Sequence, residues 1–322
     1  VIFTSGGTES NNLAIKGLYW ERNKNGVSRR KIVSAYTEHH AVIDAIEWLE
    51  THEGAEAIWV PVDHEGVVDF EWYRNFLAEH NEEIALVTFM LANNETGVIT
   101  ELEKFLVLAK THEIPSHSDA VAAFGHLRID FHTLGLSTMA ISAHKVGGPV
   151  GVGALLVSRS TKITSLIQGG GQERGIRSGT LNAAGAKAFA FAANLALKNM
   201  DAENQHTRKL VEQIKETVMQ QVSGARFSRG NQLGLAHNAH FTFEGAKSDS
   251  LLFLLDQAGF AASAGSACQA GVARPSHVLL AMGRTEAEAN GSLRFTLNQN
   301  TSANDVADLL AKLPDIVLTA RA

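Results

Sequence analysis

The stretch ISAHKVGGPVGVGALLV, residues 141–157, decides the fold. It runs from the end of one apolar segment, TMAISA (138–143), through a lysine and four glycines into a second, GALLVS (153–158). Lys145 therefore stands at a strand end. Gly147, Gly148, Gly151 and Gly153 follow it, where backbone can approach a neighbour closely. One reading is a surface lysine in a glycine turn. The other is a partly desolvated amine that can attack a carbonyl, a Schiff-base lysine. The glycines precede a strand rather than a helix, and no acidic residue follows at the required offset, so this is not a dinucleotide fingerprint.

Outward from this stretch, short apolar runs alternate with longer amphipathic ones. VIFT (1–4), KIVSA (31–35), AIWVPV (57–62) and ALVTFML (85–91) read as further buried strands. Helices are predicted over 9–23, 39–52, 69–80 and 101–112, the last with Leu102, Phe105, Leu106 and Ala109 on one stripe. Strand and helix in repeated order predict an α/β fold, a mostly parallel sheet covered by helices. Ligands in such sheets sit beyond the carboxyl ends of the strands. After Gly169–Gly171 the texture changes. An alanine-rich helix is expected over 181–199, and another over 201–222 with Leu210, Ile214, Val218 and Val222 on one face. A strand (238–243), helices (248–257 and 276–282) and a strand (291–297) follow. The division predicted is a large domain over 1–199 and a smaller α+β domain over 200–322.

The chain has 322 residues, with 28 basic and 34 acidic side chains and a formal charge of −6. That balance argues against a direct nucleic-acid binder, which needs a basic face to displace counterions. Cys268 is the only cysteine, which excludes an intramolecular disulfide and a thiolate zinc cluster. The usage suits a reducing, cytoplasmic setting. No run of eighteen apolar residues occurs, so no transmembrane helix is expected. HEIPSH (112–117) has histidines five apart with Pro115 between them, which cannot form the helical zinc pair. No metal is expected.

Several further stretches carry polar groups at element ends. HSDAVAAFGH (117–126) places Asp119 at a strand end, either as a turn former or as a carboxylate facing a pyridine nitrogen. FTSGGTESNN (3–12) puts Gly6, Gly7 and Thr8 at a helix start, suited to an anion or to simple capping. TEHHAV (37–42) offers His39 and His40, and NNETG (93–97) offers Asn93 and Asn94. GGGQERGIRSGT (169–180) is either an anion-holding loop or a mobile connection. SAGSACQAG (263–271) sets Cys268 among small residues, which favours a reactive thiol over a structural one. SLRFTL (292–297) carries Arg294 in an alternating strand, where an inward guanidinium needs an anionic partner.

In this order, SGGTESNN, TEHHAV, NNETG, SDA, SAHK, GGGQERGIRSGT and GSAC resemble the cysteine desulfurases. These are class V members of the aminotransferase superfamily, dependent on pyridoxal 5′-phosphate, and the cysteine loop is similar to the group I type. The resemblance spans essentially the whole chain. It implies a three-layer fold type I large domain and the conversion of L-cysteine to alanine, with a persulfide left on the enzyme. Lys145 resembles the Schiff-base lysine, Asp119 the partner of the pyridine nitrogen, and His39 the catalytic histidine that stacks on the ring and acts in proton transfer. Asn94 matches the asparagine near the phenolic oxygen. Gly7, Thr8, Ser142 and His144 match the phosphate side. Thr180 matches a residue reaching the neighbouring subunit's phosphate, which implies a homodimer. Arg294 resembles the clamp on the substrate carboxylate, and Cys268 the nucleophile. The sulfur would pass to an acceptor protein, such as an iron–sulfur scaffold or a transfer-RNA thiolation enzyme.

Two departures stand out. Ala122 occupies the place where the family often has glutamine. The family's leading segment of several dozen residues has no counterpart before Val1, so the sequence reads as a member lacking that part. The alternatives are a selenocysteine lyase, another class V enzyme, or a cofactor-binding scaffold without turnover.

Overall fold

A computed structural model describes residues 1–265 and 275–322. The chain divides into two units. The first comprises Val1–Pro61, Val68–Ala92 and Thr100–Lys198. The second comprises Val62–Val67, Asn93–Ile99 and Asn199–Ala322, so two short segments before residue 199 cluster with the later part of the chain.

The first unit is built in the order β1 (Ile2–Thr4), α1 (Gly7–Arg22), β2 (Lys31–Ala35), α2 (His40–Glu53), β3 (Glu56–Val60), α3 (Phe70–His80) and β4 (Ile84–Thr88). It continues with α4 (Leu102–Thr111), β5 (Ser116–Asp119), α5 (Phe131–Leu134), β6 (Thr138–Ser142) and β7 (Gly153–Val157). The seven strands form one sheet in the order β1-β7-β6-β5-β4-β2-β3. Among the described residues β7 runs against the other six strands. The mostly parallel α/β expectation holds, and its helical cover is apolar on the inner side. Ile15 and Leu18 of α1 and Val42, Ile46 and Leu49 of α2 pack with Ile32, Ala85 and Leu86 of the sheet.

Parallel strands place their carboxyl ends along one edge. The segments that follow β1, β2, β5 and β6 are Gly6–Thr8, Glu38–His39, Asp119–Val121 and Ser142–Lys145, all with candidate residues. The glycine after the lysine turn serves a close approach here. A Cβ on Gly153 would lie 2.7 Å from the Gly6 backbone and 2.9 Å from the Ile141 carbonyl. Only a residue without a side chain lets β7 pass beneath the start of α1.

A single helix, α6 (Ala183–Gln221), replaces the two predicted over 181–199 and 201–222. Nothing in its interior breaks the backbone ladder, because the junction (Asn199–Asp201) lacks proline and glycine. The second unit adds β8 (Ala225–Phe227), β9 (Asn238–Phe243), α7 (Ser248–Gln257), α8 (His277–Ala281), α9 (Glu286–Ala289), β10 (Ser292–Thr296) and α10 (Ala303–Ala320). Its antiparallel sheet has the order β10-β9-β8. Phe241, Phe243 and Leu293 of that sheet pack with Leu210, Ile214 and Val218 of α6 and Leu309, Leu313 and Val317 of α10. No helix among the described residues is long and apolar enough to cross a membrane.

Gly153→Ala should lower the unfolding free energy by about 1–3 kcal/mol through overpacking. Urea unfolding would show this as an earlier midpoint at an unchanged slope. An unmoved midpoint would mean that the Gly6–Gly153 approach tolerates a methyl group.

Candidate active site

The centre of the first unit's site is a carboxylate in the interior. Asp119 ends β5 at 5% exposure. Its Oδ2 accepts from Asn11 Nδ2 at 2.6 Å, and its Oδ1 accepts from the Val121 amide at 2.8 Å. Burial raises the Asp119 carboxyl above the ordinary aspartate value. The Val121 amide, His39, Asn11 and Lys145 pull it back toward the charged form.

A second carboxyl stands close by, one the sequence reading passed over. Glu38 is 1% exposed, and its Oε1 accepts from the Met90 amide. Burial raises Glu38 well above the usual carboxylate range, and the charge of Asp119 raises it further. Two carboxyls in one apolar setting do not both ionise. Glu38 is the neutral member, which leaves the negative charge to Asp119. Its signal in the sequence was its position, an acidic residue between a buried strand and the histidine that starts a helix.

His39 is the N-cap of α2, with Nδ1 accepting from the Ala41 amide at 3.0 Å. A nitrogen that accepts carries no proton, which leaves Nε2 as the ring's N–H position. This cap also fixes the orientation of the ring.

Lys145 lies in the single turn Ala143–Val146 that follows β6, and it is exposed rather than desolvated. Ser142, buried at the end of β6, hydrogen-bonds through Oγ to Nδ1 of His144 at 2.9 Å. Burial and the neighbouring Lys145 charge lower the basicity of His144. A Cβ on Gly7 would lie 3.8 Å from Ser142 Cβ and 2.7 Å from Val121 Cγ2, so the start of α1 meets the ends of β5 and β6. Gly6 opens α1 without a side-chain cap, and a Cβ built on it would meet nothing within 4 Å. Unpaired amides at a sixteen-residue helix, flanked by Ser142 and His144, suit an anion.

The loop GGGQERGIRSGT is anchored to the first unit by two of its side chains. Arg177 Nε donates to Glu9 Oε1 at 2.8 Å, and Glu173 Oε1 accepts from the Phe3 amide at 3.1 Å. Burial pushes Glu9 up, but its bonds from Arg177 and Ser5 outweigh this and hold its carboxyl below the usual value. Both anchors bind the loop to β1 and α1. Thr180, at its end, is exposed.

In the second unit the two asparagines of NNETG take different parts. Asn93 is the turn former, with Oδ1 accepting from the amides of Glu95 and Thr96 at 2.9 and 2.8 Å. Asn94 Oδ1 is shut from solvent and has no hydrogen-bond partner. Arg294 Nη1 donates to the Asn94 carbonyl at 2.6 Å, while its buried Nε has none. That guanidinium therefore meets a carbonyl rather than an anion, and keeps a donor to spare. Glu95, also missed in the sequence, receives Ser276 Oγ at 2.5 Å, and a Cβ on Gly265 would lie 2.9 Å from the same oxygen. Cys268 lies outside the described residues, between those two positions.

The family model for aminotransferase class V matches residues 1–309. The chain belongs to the class-V aminotransferase family. An IscS-like cysteine desulfurase of Mycobacterium tuberculosis is 46% identical over 322 residues, covering all of this chain and 82% of the relative. A cysteine desulfurase IscS of Clostridium botulinum is 38% identical, covering all of this chain and 80% of the relative. The X-ray structure of a NifS-like protein from Rickettsia africae superposes with a TM-score of 0.86 at 30% identity, covering 98% of this chain and 81% of that one. The family and its cysteine desulfurases use pyridoxal phosphate. The residues present fit that group. A buried carboxylate stands ready for a ring nitrogen, an uncapped helix start for a phosphate, and an amine lies close enough to sense Asp119.

Burial also shapes two histidines. His117 of β5 is pushed down to about 3 by its burial, and His240 of β9 to about 3 by burial and by Arg294. Each is neutral when folded, so the stability it permits is complete above its ordinary value near 6.5 and declines as pH falls from there toward about 3. The decline is about 1.4 kcal/mol per pH unit for each histidine. His240→Gln should show a correspondingly shallower fall in urea-derived stability between about pH 6 and pH 4. Equal slopes in the two proteins would exclude His240 as a titrating group in unfolding.

Proposed function

We propose that this chain is a pyridoxal-phosphate-dependent cysteine desulfurase that converts L-cysteine to L-alanine and passes the sulfur on from Cys268. The observation that supports it best is the Asp119 carboxylate, buried, met by two donors, and sensing both His39 and Lys145. Full-length similarity to cysteine desulfurases supports it independently.

When bound, the cofactor supplies an electron sink next to the substrate α-carbon. The chain's own residues do the rest. Asp119 keeps a proton on the ring nitrogen through its buried carboxylate. His39 covers a ring face. Gly7, Thr8, Ser142 and His144 hold the phosphate, with Thr180 contributed from a second subunit. Asn94 serves the ring oxygen through its amide N–H, and Arg294 meets the substrate carboxylate with its spare Nε donor. Lys145 Nζ takes the substrate α-proton. The Cys268 thiolate attacks the substrate sulfur. A sulfur–sulfur bond forms as the Cβ–S bond breaks, and the electron pair left on Cβ is protonated to give alanine. The persulfide on Cys268 then goes to an acceptor protein.

A homodimer agrees with the exposure of Thr180 and with two exposed apolar residues one turn apart on α6, Phe191 and Leu195. The predicted domain roles follow the same reading, with the large unit holding the cofactor and the small one carrying the cysteine loop. A methyl group at Ala122 offers no donor, so either Asn94 and water serve the ring oxygen or the cofactor's electronics differ from those of relatives with glutamine there.

Cys268→Ala should take up pyridoxal phosphate with the same visible absorption but yield no protein persulfide after cysteine addition, read by mass spectrometry as the loss of one added sulfur. Undiminished alanine and sulfide release from this variant would refute the nucleophile. Lys145→Ala should lose the borohydride-sensitive visible band and at least about a thousandfold of turnover. Retained turnover would overturn that assignment.

A further inference from the structure

Behind Asp119 lies a chain of side chains that the reaction above does not use. Asn11 of α1, His117 of β5 and Thr138 of β6 are 1%, 1% and 0% exposed. Asn11 Nδ2 meets Asp119 Oδ2 at 2.6 Å. Asn11 Oδ1 lies 2.9 Å from His117 Nε2, and His117 Nδ1 lies 2.9 Å from Thr138 Oγ1. The sheet register sets His117 directly beside Thr138.

The donors and acceptors along this chain can be assigned in one way only while Asp119 is charged. A carboxylate only accepts, so Asn11 turns its amino group to Asp119 and its carbonyl to His117. A carbonyl also only accepts, so the proton on His117 sits on Nε2. His117 is neutral through its burial and has one proton. With Nε2 carrying that proton, Nδ1 accepts from the Thr138 hydroxyl and does not donate to the Thr138 backbone carbonyl, the other partner within its reach. All three bonds point the same way, from Thr138 toward Asp119. No secondary-structure hydrogen bond requires them. An apolar residue at either place would avoid the cost of burying an imidazole or a hydroxyl.

Resting on the reading of Asp119 as the ring-nitrogen carboxylate, we propose that His117 and Thr138 are positioning residues that lock the Asn11 amide with its donor end on Asp119, and so set how readily Asp119 holds its charge. Without the Thr138 hydroxyl, the imidazole proton can move to Nδ1. Nε2 then no longer donates to Asn11, whose amide is free to turn its carbonyl toward the carboxylate. The other groups that face Asp119, namely Glu38, His39, Lys145 and the Val121 amide, are unchanged in such a variant.

The test uses the full chain, first without cofactor. Histidine side-chain nitrogen NMR should show His117 protonated on Nε2 and bare on Nδ1 throughout about pH 5 to 9. Carbon NMR of the aspartate carboxyls should show the Asp119 midpoint raised by about one pH unit in Thr138→Val and His117→Phe, the size expected for losing one hydrogen bond to a charged group. Thr138→Ser and His117→Gln, which can still accept and donate in the same sense, should restore it. Thr138→Val is isosteric, so it decides the matter if His117→Phe does not fold. The proposal falls if wild-type His117 carries its proton on Nδ1, or if folded Thr138→Val leaves the Asp119 midpoint in place. In the second arm pyridoxal phosphate is added. Thr138→Val should shift the pH dependence of the visible band, and Thr138→Ser should return it. A wild-type chain that takes up no cofactor would refute the proposed function, while the cofactor-free NMR would still decide the positioning role.

Discussion

A charge inside a protein must be met by donors or it neutralises. In this chain that demand falls on Asp119, at the end of a strand in the body of a seven-stranded sheet. The surroundings follow from meeting it. Asn11 on α1 and the Val121 amide supply the hydrogen bonds, and Glu38 stays neutral beside it. Basic groups arrive from the ends of β2 and β6, as His39 and Lys145. The parallel arrangement makes this possible, because it brings the carboxyl ends of several strands to one edge.

The same edge carries a second constraint, which is room. Gly153 lets β7 pass the Gly6 backbone, and Gly7 lets α1 start against Val121 and near Ser142. The helix thus begins where its unpaired amides can meet an anion. The loop beyond residue 168 holds this arrangement from outside, through Glu173 on the Phe3 amide and Arg177 on Glu9. In the second unit Glu95 plays a similar structural part. It accepts from Ser276 and leaves no room for a side chain at Gly265, on either side of the segment that contains Cys268.

Much of the α/β unit was legible because its strands are apolar and its helices amphipathic. β5 was the exception. Its sequence is Ser-His-Ser-Asp, every residue is buried, and no hydrophobic pattern marks it. It is a strand because its neighbours on both sides supply the ladder, while Ser116, His117 and Asp119 hydrogen-bond through their side chains instead of packing as hydrocarbon. Asp119 could still be singled out as a strand-end carboxylate, as Lys145 and His39 could at their own element ends. Asn11, His117 and Glu38 could not. Asn11 and Glu38 sat inside stretches read for other residues, and His117 drew notice only for a zinc spacing it does not use. The change in composition near residue 199 coincides with the division between the two units, yet the backbone ladder of α6 continues through it, so one helix stands where two were expected.

The sequence by itself determined the alternation of strands and helices, the glycines of the close approaches, and a set of chemically distinct groups at element ends, in an order that resembles one family. These are local properties, carried by spacing and residue type. Tertiary structure alone decided which of those groups share an environment. It set a neutral Glu38 beside a charged Asp119, occupied Arg177 with Glu9, and left Asn94 Oδ1 without a partner. It also lined up Thr138, His117 and Asn11 behind the carboxylate. The physical reason is that burial and hydrogen-bond polarity depend on residues more than a hundred positions apart in the chain, such as Asn11 and Asp119, and on the strand register that brings them together.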